Sequence, residues 1–336
     1  KLQATNTTQG NISITNTGAL TLVDLNSDDY SVKNDFGAIN IIIASPLTVN
    51  SAVIAGGEVA LTAGEVNDAP IGADDLTINA NITSTGGNIL LRAGDDIIQN
   101  SGLIQTQTSG KIITLIAAYN DLDGIGGITQ NGTAQIVSND GNISLCAGDY
   151  DTSPPYYHYG GDIAITSINA GDAQVSIESG QGALIDNDTS DDNDITANRL
   201  FILVWNGIGS SANQIETSVS NLQATTAFND IEILNTGALQ LADIIGWGYS
   251  ISSGGNVNIT TSSPLTVNSA VSASEDVYLY ASGGETGDLT VNADILGEGV
   301  SLQADRNISI TGGLICVGDD NYLYLTADAD ANGTGL

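Results

Sequence analysis

Ser45-Pro46-Leu47-Thr48-Val49-Asn50-Ser51-Ala52-Val53 returns unchanged from Ser263 to Val271, and this one match reorganises the whole chain. Around it, in the same order, Leu2-Gln3-Ala4-Thr5 recurs as Leu222-Gln223-Ala224-Thr225. Asn16-Thr17-Gly18-Ala19-Leu20 recurs as Asn235-Thr236-Gly237-Ala238-Leu239, and Asp75 to Ala80 returns as Asp288 to Ala293. The offset starts at about 220 residues and shrinks along the chain, as it does when loops vary and a repeated framework is kept. The sequence therefore predicts a long unit over residues 1–220 and a truncated second copy over 221–336, joined in one continuous solenoid.

A finer period lies inside each copy. Gly37-Ala38-Ile39-Asn40-Ile41, Gly57-Glu58-Val59-Ala60-Leu61, Gly87-Asn88-Ile89-Leu90-Leu91, Gly141-Asn142-Ile143-Ser144-Leu145 and Gly161-Asp162-Ile163-Ala164-Ile165 share one pattern. With Gly110-Lys111-Ile112-Ile113 between the third and fourth, they are spaced by about 19 to 31 residues, the length of one solenoid coil with variable loops. Apolar residues alternate within each segment, so one row points inward and the other outward. A single coil cannot bury its inward row alone. Stacking coils about 4.8 Å apart buries a continuous column and pairs the backbone between neighbours. Further short segments such as Leu47-Thr48-Val49 and Ala52-Val53-Ile54 bring the expectation to about three strands per coil. The fold class read from the residues is all-β, a parallel β-solenoid. A string of β-sandwiches is the alternative, disfavoured because sandwiches carry no such short period.

Composition agrees. Apolar residues make up 41% of the chain, enough for a core, yet aromatics are only 5% and Met is absent. The rest is rich in Gly, Asn, Asp, Thr and Ser, the residues of tight turns. The 39 acidic residues against 6 Lys and Arg leave a net charge of −33. Nucleic acid is excluded as a partner, since phosphate binding needs clustered cations. Anionic membrane surfaces are excluded for the same reason, and no apolar run is long enough for insertion. The acidic surface has two readings: a solvated face that resists aggregation, or carboxylates that collect Ca²⁺. Cys146 and Cys316, far apart and in no metal or redox spacing, read as small buried hydrophobes, with an intermolecular role the alternative. The chain has no initiating Met or signal peptide and reads as a portion of something longer.

The metal-like signals are acidic loops. Asp328-Ala329-Asp330-Ala331-Asn332-Gly333 has the D-x-D-x-N-G spacing that gathers oxygen ligands around a turn. Asp121 and Asp123 align with Asp330 and Asn332 in the first copy, but Tyr119 stands where Asp328 would. The run from Asp186 to Asp194, with Asp186, Asp188, Asp192 and Asp194, is a second candidate for Ca²⁺, the one cofactor considered. Otherwise these loops are turns built on Asx chemistry. The adjacent pairs Asp74-Asp75, Asp95-Asp96 and Asp191-Asp192 do not make the opposed acid and base of a glycosidase, because neighbouring strand residues face opposite sides. No nucleophile or phosphate-loop constellation occurs, so the chain does not read as an enzyme. Tyr150, Tyr156, Tyr157, His158 and Tyr159 cluster in a loop predicted to leave the solenoid. With Trp247 and Tyr249 on another irregular segment, they either stack on a sugar or partner, or pack on their own loops. The sequons at Asn11, Asn81, Asn131, Asn142, Asn258 and Asn307 fit glycosylation, and equally the strand-start pattern Asn-Ile-Ser/Thr.

The recurrent G-N-I-x-L strands, Asn235-Thr236-Gly237-Ala238-Leu239 and Asn206-Gly207-Ile208-Gly209-Ser210-Ser211-Ala212-Asn213 resemble filamentous-haemagglutinin-like proteins, giant bacterial surface or secreted proteins of tandem β-strand repeats. The resemblance implies a right-handed parallel β-helix, secretion to the cell surface, and a role in adhesion, biofilm or surface structure. The expected function is a structural module of an extracellular filament, fibre or adhesin. A glycan- or calcium-binding surface module is the alternative, and a polysaccharide-processing β-helix enzyme the remote one. Open coils expose sheet edges, so the expected partners are further copies or tandem repeats end to end, with surface glycans as possible ligands.

Overall fold

The computed structural model describes residues 1–64, 74–120, 126–148, 160–318 and 322–330. Every strand pair between the named strands is parallel, and the described residues hold no α-helix, only a 3-10 turn at Gly284–Thr286. No helix is long and apolar enough to cross a membrane. The chain forms two compact units, Lys1–Asp188 and Thr189–Leu336. The sequence-repeat boundary at 220/221 lies inside the strand Ile215–Thr226.

In the first unit the chain visits three faces in turn. Face A stacks Ile12–Asn16, Ile39–Ile43, Val59–Ala63, Ile89–Ala93, Ile113–Ala117, Ile143–Ala147 and Gln174–Ser179. Face B is a seven-stranded sheet running from Leu20–Leu22 to Leu184–Asp186. Face C runs from Ala4–Asn6 through Tyr30–Asn34 and Ala52–Ala55 to Ile168–Asn169. The chain is thus a parallel β-helix with three short strands per coil, and its right-handed sense is the one parallel crossovers adopt almost without exception. Register on face A aligns Ile12, Ile39, Val59, Ile89, Ile113, Ile143 and Val175. The Gly161–Ile165 segment, which the sequence grouped with these, instead lies on face B, where Ile163 pairs with Ile128 and Leu184, because the same Gly-Asx-apolar pattern opens strands on more than one face.

The inward rows are the core. Ile39, Ile41, Leu61, Leu91, Leu115 and Leu145 are fully buried, each stabilising the fold by about 1.5–3 kcal/mol through removal from water. Face B replaces two apolar positions with Gln99 and Gln130, both buried. The Gln130 amide donates to Gln99 Oε1 at 3.1 Å, and Gln99 donates to the carbonyls of Gly102 and Gln135 at 2.9 and 3.1 Å. Buried polar groups are thereby satisfied along the stacking direction.

The second unit repeats the three faces, with Ile231–Asn235, Val257–Thr261, Val277–Ala281, Val300–Ala304 and Leu323–Thr326 on face A, Leu239–Leu241 and Leu265–Val267 on B, and Tyr249–Ser253 and Ala270–Ala273 on C. One feature departs from three short strands per coil. Ile195–Val204 and Ile215–Thr226 are ten and twelve residues long. Ile215 pairs on face A with Ile233, Leu222 on face B with Leu241, and Ala224 on face C with Ile251, so one strand serves all three faces. Neither segment contains Gly or Pro.

Cys146 is a correction to the sequence reading. It occupies the outward phase of Ile143–Ala147, is half-buried, and its thiol contacts the Gly148 carbonyl at 3.6 Å. The side chain of Cys316 lies outside the described residues.

Candidate functional site

Most Asx residues bind the coil beside them. Asn or Asp stands just before a strand and its Oδ1 accepts the backbone N–H of the corresponding residue one coil on: Asn11 from Ala38 (3.0 Å), Asn81 from Leu103 (2.9 Å), Asp96 from Gly127 (2.7 Å), Asp162 from Ala183 (2.8 Å). In the second unit Asp230 accepts from Asn256, Asn256 from Asp276, and Asp276 from Gly299, a continuous series. At corners the backbone turns away from its neighbour, and these side chains supply the acceptor the N–H still needs. A second ladder follows face B, where Asn79 donates to Asn50, Asn100 to Asn79, Asn131 to Asn100 and Asn187 to Asn131, at 2.7 to 3.2 Å. The signal for this ladder was present in Leu47-Thr48-Val49-Asn50, Leu76-Thr77-Ile78-Asn79 and Ile97-Ile98-Gln99-Asn100, but their common Asn was not recognised as one column.

The long repeat extends to individual hydrogen bonds. Asp24 accepts the N–H groups of Asn26, Ser27, Asp28 and Asp29, and Asp243 those of Gly246, Trp247 and Gly248. Gln3 accepts from Leu25 N and donates to Tyr30 O; Gln223 accepts from Ile244 N and donates to Tyr249 O. Burial works to raise the Asp24 carboxyl, but its four backbone donors outweigh it and hold the group below the usual range. The Gly248 N–H is the largest of the donors that do the same for Asp243.

Asp74 and Asp95 are buried while Asp75 and Asp96 are half-buried, so these adjacent carboxylates take opposite sides. Asp75 accepts the Asp96 N–H at 3.1 Å, and burial pushes its carboxyl up to about 6; burial raises Asp96 as well. Asp191 and Asp192 are both exposed, because their segment is a loop and does not alternate.

The outer surface of face A in the second unit carries a cavity. Tyr278 and Tyr280 share the outward phase of Val277–Ala281. Asn258 and Thr260 precede them in register, and Ser301 and Gln303 follow. Asn258, Thr260, Tyr278, Leu279, Tyr280, Ser301 and Gln303 line a volume of about 310 Å³. The two rings are tied down at opposite ends of the strand. Tyr278 donates to Asp276 Oδ2 at 2.9 Å, shared with Tyr322 at 2.8 Å, and the two phenol oxygens are 2.6 Å apart. Tyr280 donates to Asp305 Oδ1 at 2.7 Å, while Asp305 Oδ2 accepts the Gly284 N–H at 2.9 Å. The two phenols are thus held by separate carboxylates, and hydroxyl and amide side chains line the cavity together with the tyrosines and Leu279. The Asp305 bond, then burial, pushes the Tyr280 phenol up to about 12; burial and the bonds to Tyr278 and Asp276 raise Tyr322. Burial favours the protonated Asp276, but the donors Tyr322, Tyr278 and Gly299 outweigh it and keep the carboxyl below its usual range. These tyrosines were missed in the sequence, although Val277-Tyr278-Leu279-Tyr280 alternates and places both on the outward phase.

The residues singled out in the sequence fall as follows. Tyr150, Tyr156, Tyr157, His158, Tyr159, Asp121, Asp123 and Asn332 lie outside the described residues. Asp328 is half-buried at φ 55°, its N–H donating to the Arg306 carbonyl at 3.2 Å, and Asp330 is exposed. In the first unit, Asp186 is buried at the end of Leu184–Asp186 and accepts the Asp188 N–H at 2.9 Å; burial raises its carboxyl. In the second, Asp192 is exposed, while buried Asp194 accepts the Glu216 N–H at 3.0 Å. Trp247 packs edge-on against Phe201 at 5.7 Å and tilted against Tyr249 at 5.7 Å, yet stays 44% exposed.

The molecule is thus a parallel β-solenoid with many Asx side chains bonded coil to coil, and a cavity lined by Tyr278 and Tyr280 lies on an outer face of the second unit. The chain matches no family model, no curated protein and no solved structure.

Proposed function

We propose that the chain is a structural module of an extracellular filament, fibre or giant surface adhesin, in keeping with its resemblance to filamentous-haemagglutinin-like proteins. The observation that carries this reading is the duplication of the Asp24 and Asp243 loops with their glutamine and tyrosine contacts. A catalytic centre is needed once; a unit copied with its corner bonds is a building element. The acidic surface suits a soluble, self-repelling exterior. The partners are further coils. Further copies of the chain, or tandem repeats end to end, would pair with it strand on strand, as its own coils pair with each other.

Immunogold labelling of producing cells with antibody against this chain, read by electron microscopy, tests the proposal. Label along surface fibres or shed filaments supports it. Label confined to the cytosol, or release of reducing sugar from polysaccharides by the purified chain, contradicts it.

A further inference from the structure

We infer that the cleft between Tyr278 and Tyr280 binds one residue of a neutral polysaccharide or oligosaccharide. The inference is independent of the structural role proposed above: a chain that binds no sugar still builds fibres.

Three features select this ligand class. First, two tyrosines stand on alternate residues of one strand face, about 7 Å apart along the backbone. Aromatic faces match the C–H faces of a pyranose, which are apolar while the ring edge is polar. Second, the lining offers paired donors and acceptors without a charge. Ser301 and Thr260 carry hydroxyls, and Gln303 and Asn258 carry amides. Such groups match sugar hydroxyls, which both donate and accept. The Gln303 amide reaches only Ser301 Oγ, at 3.3 Å, whereas Asn258 is oriented by Glu232 at 2.9 Å. Third, the tyrosines are pre-set. Each phenol is fixed by a carboxylate, Asp276 or Asp305, so little side-chain freedom remains to be lost on binding.

Charged ligands fit worse. No Lys or Arg lines the cleft, and the net charge of −33 repels anions. The carboxylates nearest the rings, Asp276 and Asp305, already accept phenol and backbone hydrogens, which lowers their value to a cation. The cleft sits on the outer face of a sheet, so a chain crossing it can continue past both tyrosines. A volume of about 310 Å³ is at the small end of ligand sites and suits one sugar ring rather than several.

Isothermal titration calorimetry of the full chain tests the inference. The probes are cellohexaose, chitohexaose, maltohexaose and xylohexaose, with oligogalacturonate as the anionic arm and tetramethylammonium chloride as the cationic arm. The expected result is 1:1 binding of at least one neutral probe with a Kd of about 0.1–1 mM. Tyr278→Ala and Tyr280→Ala weaken it about tenfold each, through loss of a stacking face. Thermal melts establish that each variant is folded. If either alanine variant is not, Tyr280→Phe and Gln303→Ala decide: the first keeps the ring and loses its anchor, the second loses a lining donor, and each weakens binding about threefold. No heat from any neutral probe at about 10 mM overturns the inference. So does preference for either charged probe, or affinity unchanged in the folded variants.

Discussion

The buried glutamine pair offers the sharpest energetic test of coil-to-coil bonding. Gln130→Leu keeps the side-chain volume of a fully buried position, so it opens little cavity. It removes the donor to Gln99 Oε1 at 3.1 Å and the acceptor of the Thr166 N–H at 3.3 Å. Each buried polar group left unpaired costs about 1–3 kcal/mol, and the longer Thr166 bond belongs at the low end, so the expected loss is about 2–4 kcal/mol. Gln99→Leu alone strands the Gln130 amide, whose other acceptor, the Ser167 carbonyl, is a long 3.4 Å away, at a cost of about 1–3 kcal/mol. The double variant removes both ends of the shared bond. It is therefore predicted to fall short of the summed losses by about 1–2 kcal/mol. Urea unfolding of the four proteins, with the slope required to stay constant, measures this coupling. Thr129→Ala, on the outward phase of the same strand, should change stability by less than about 0.5 kcal/mol. If the two losses add to within about 0.3 kcal/mol, the glutamines do not bond across coils and the reasoning fails.

Three further outcomes follow from named residues. Asp75 is raised to about 6 by burial, above its value in the unfolded chain, so its favourable contribution is present below about pH 4 and is lost as pH rises through 6. Asp75→Asn keeps the Oδ1 that accepts the Asp96 N–H and should stabilise the protein by about 1 kcal/mol at pH 8, allowing for solvent screening of a half-exposed group, with no gain at pH 4; a gain at both would assign the effect to something other than charge. A Cβ at Gly141 would collide with the Lys111 backbone of the adjacent coil, whereas one at Gly110 meets nothing within 4 Å but sits at φ +75°. Gly141→Ala is expected to cost more than about 3 kcal/mol and Gly110→Ala about 1 kcal/mol, compared by urea midpoints. The calcium reading of the acidic loops predicts a lower melting temperature in chelator than in millimolar calcium, and identical melts remove the ion from the account.

Phase and period carried the fold in the sequence. The alternation in Gly87-Asn88-Ile89-Leu90-Leu91 placed Ile89 and Leu91 inside, and both are buried. Four ordered matches identified a duplication that reaches the bonding of Asp24 and Asp243. The same alternation assigns Cys146 to the outward row, but its residue type suggested burial, and phase is the stronger guide within a strand. The Asx clamps were not legible, because an Asn that ends a turn and an Asn that bridges two coils have the same local sequence. Only register, set by loops of unequal length, tells which N–H lies above it. The cavity tyrosines were hidden for a related reason. Their carboxylate anchors, Asp276 and Asp305, stand 2 and 25 residues away, and nothing local pairs Tyr280 with the distant one.

Double electron–electron resonance within the first unit tests the stacked-coil account most directly. Asn40 and Ser176 are 136 residues apart in sequence yet five register steps apart on the outward row of face A, through Ala60, Leu90, Thr114 and Ser144. Spin labels at Asn40→Cys and Ser176→Cys, with Cys146→Ser and Cys316→Ser to remove other thiols, should give one narrow distance centred at about 24 Å, five spacings of about 4.8 Å. A broad distribution, or a peak beyond about 40 Å, would contradict the in-register stack.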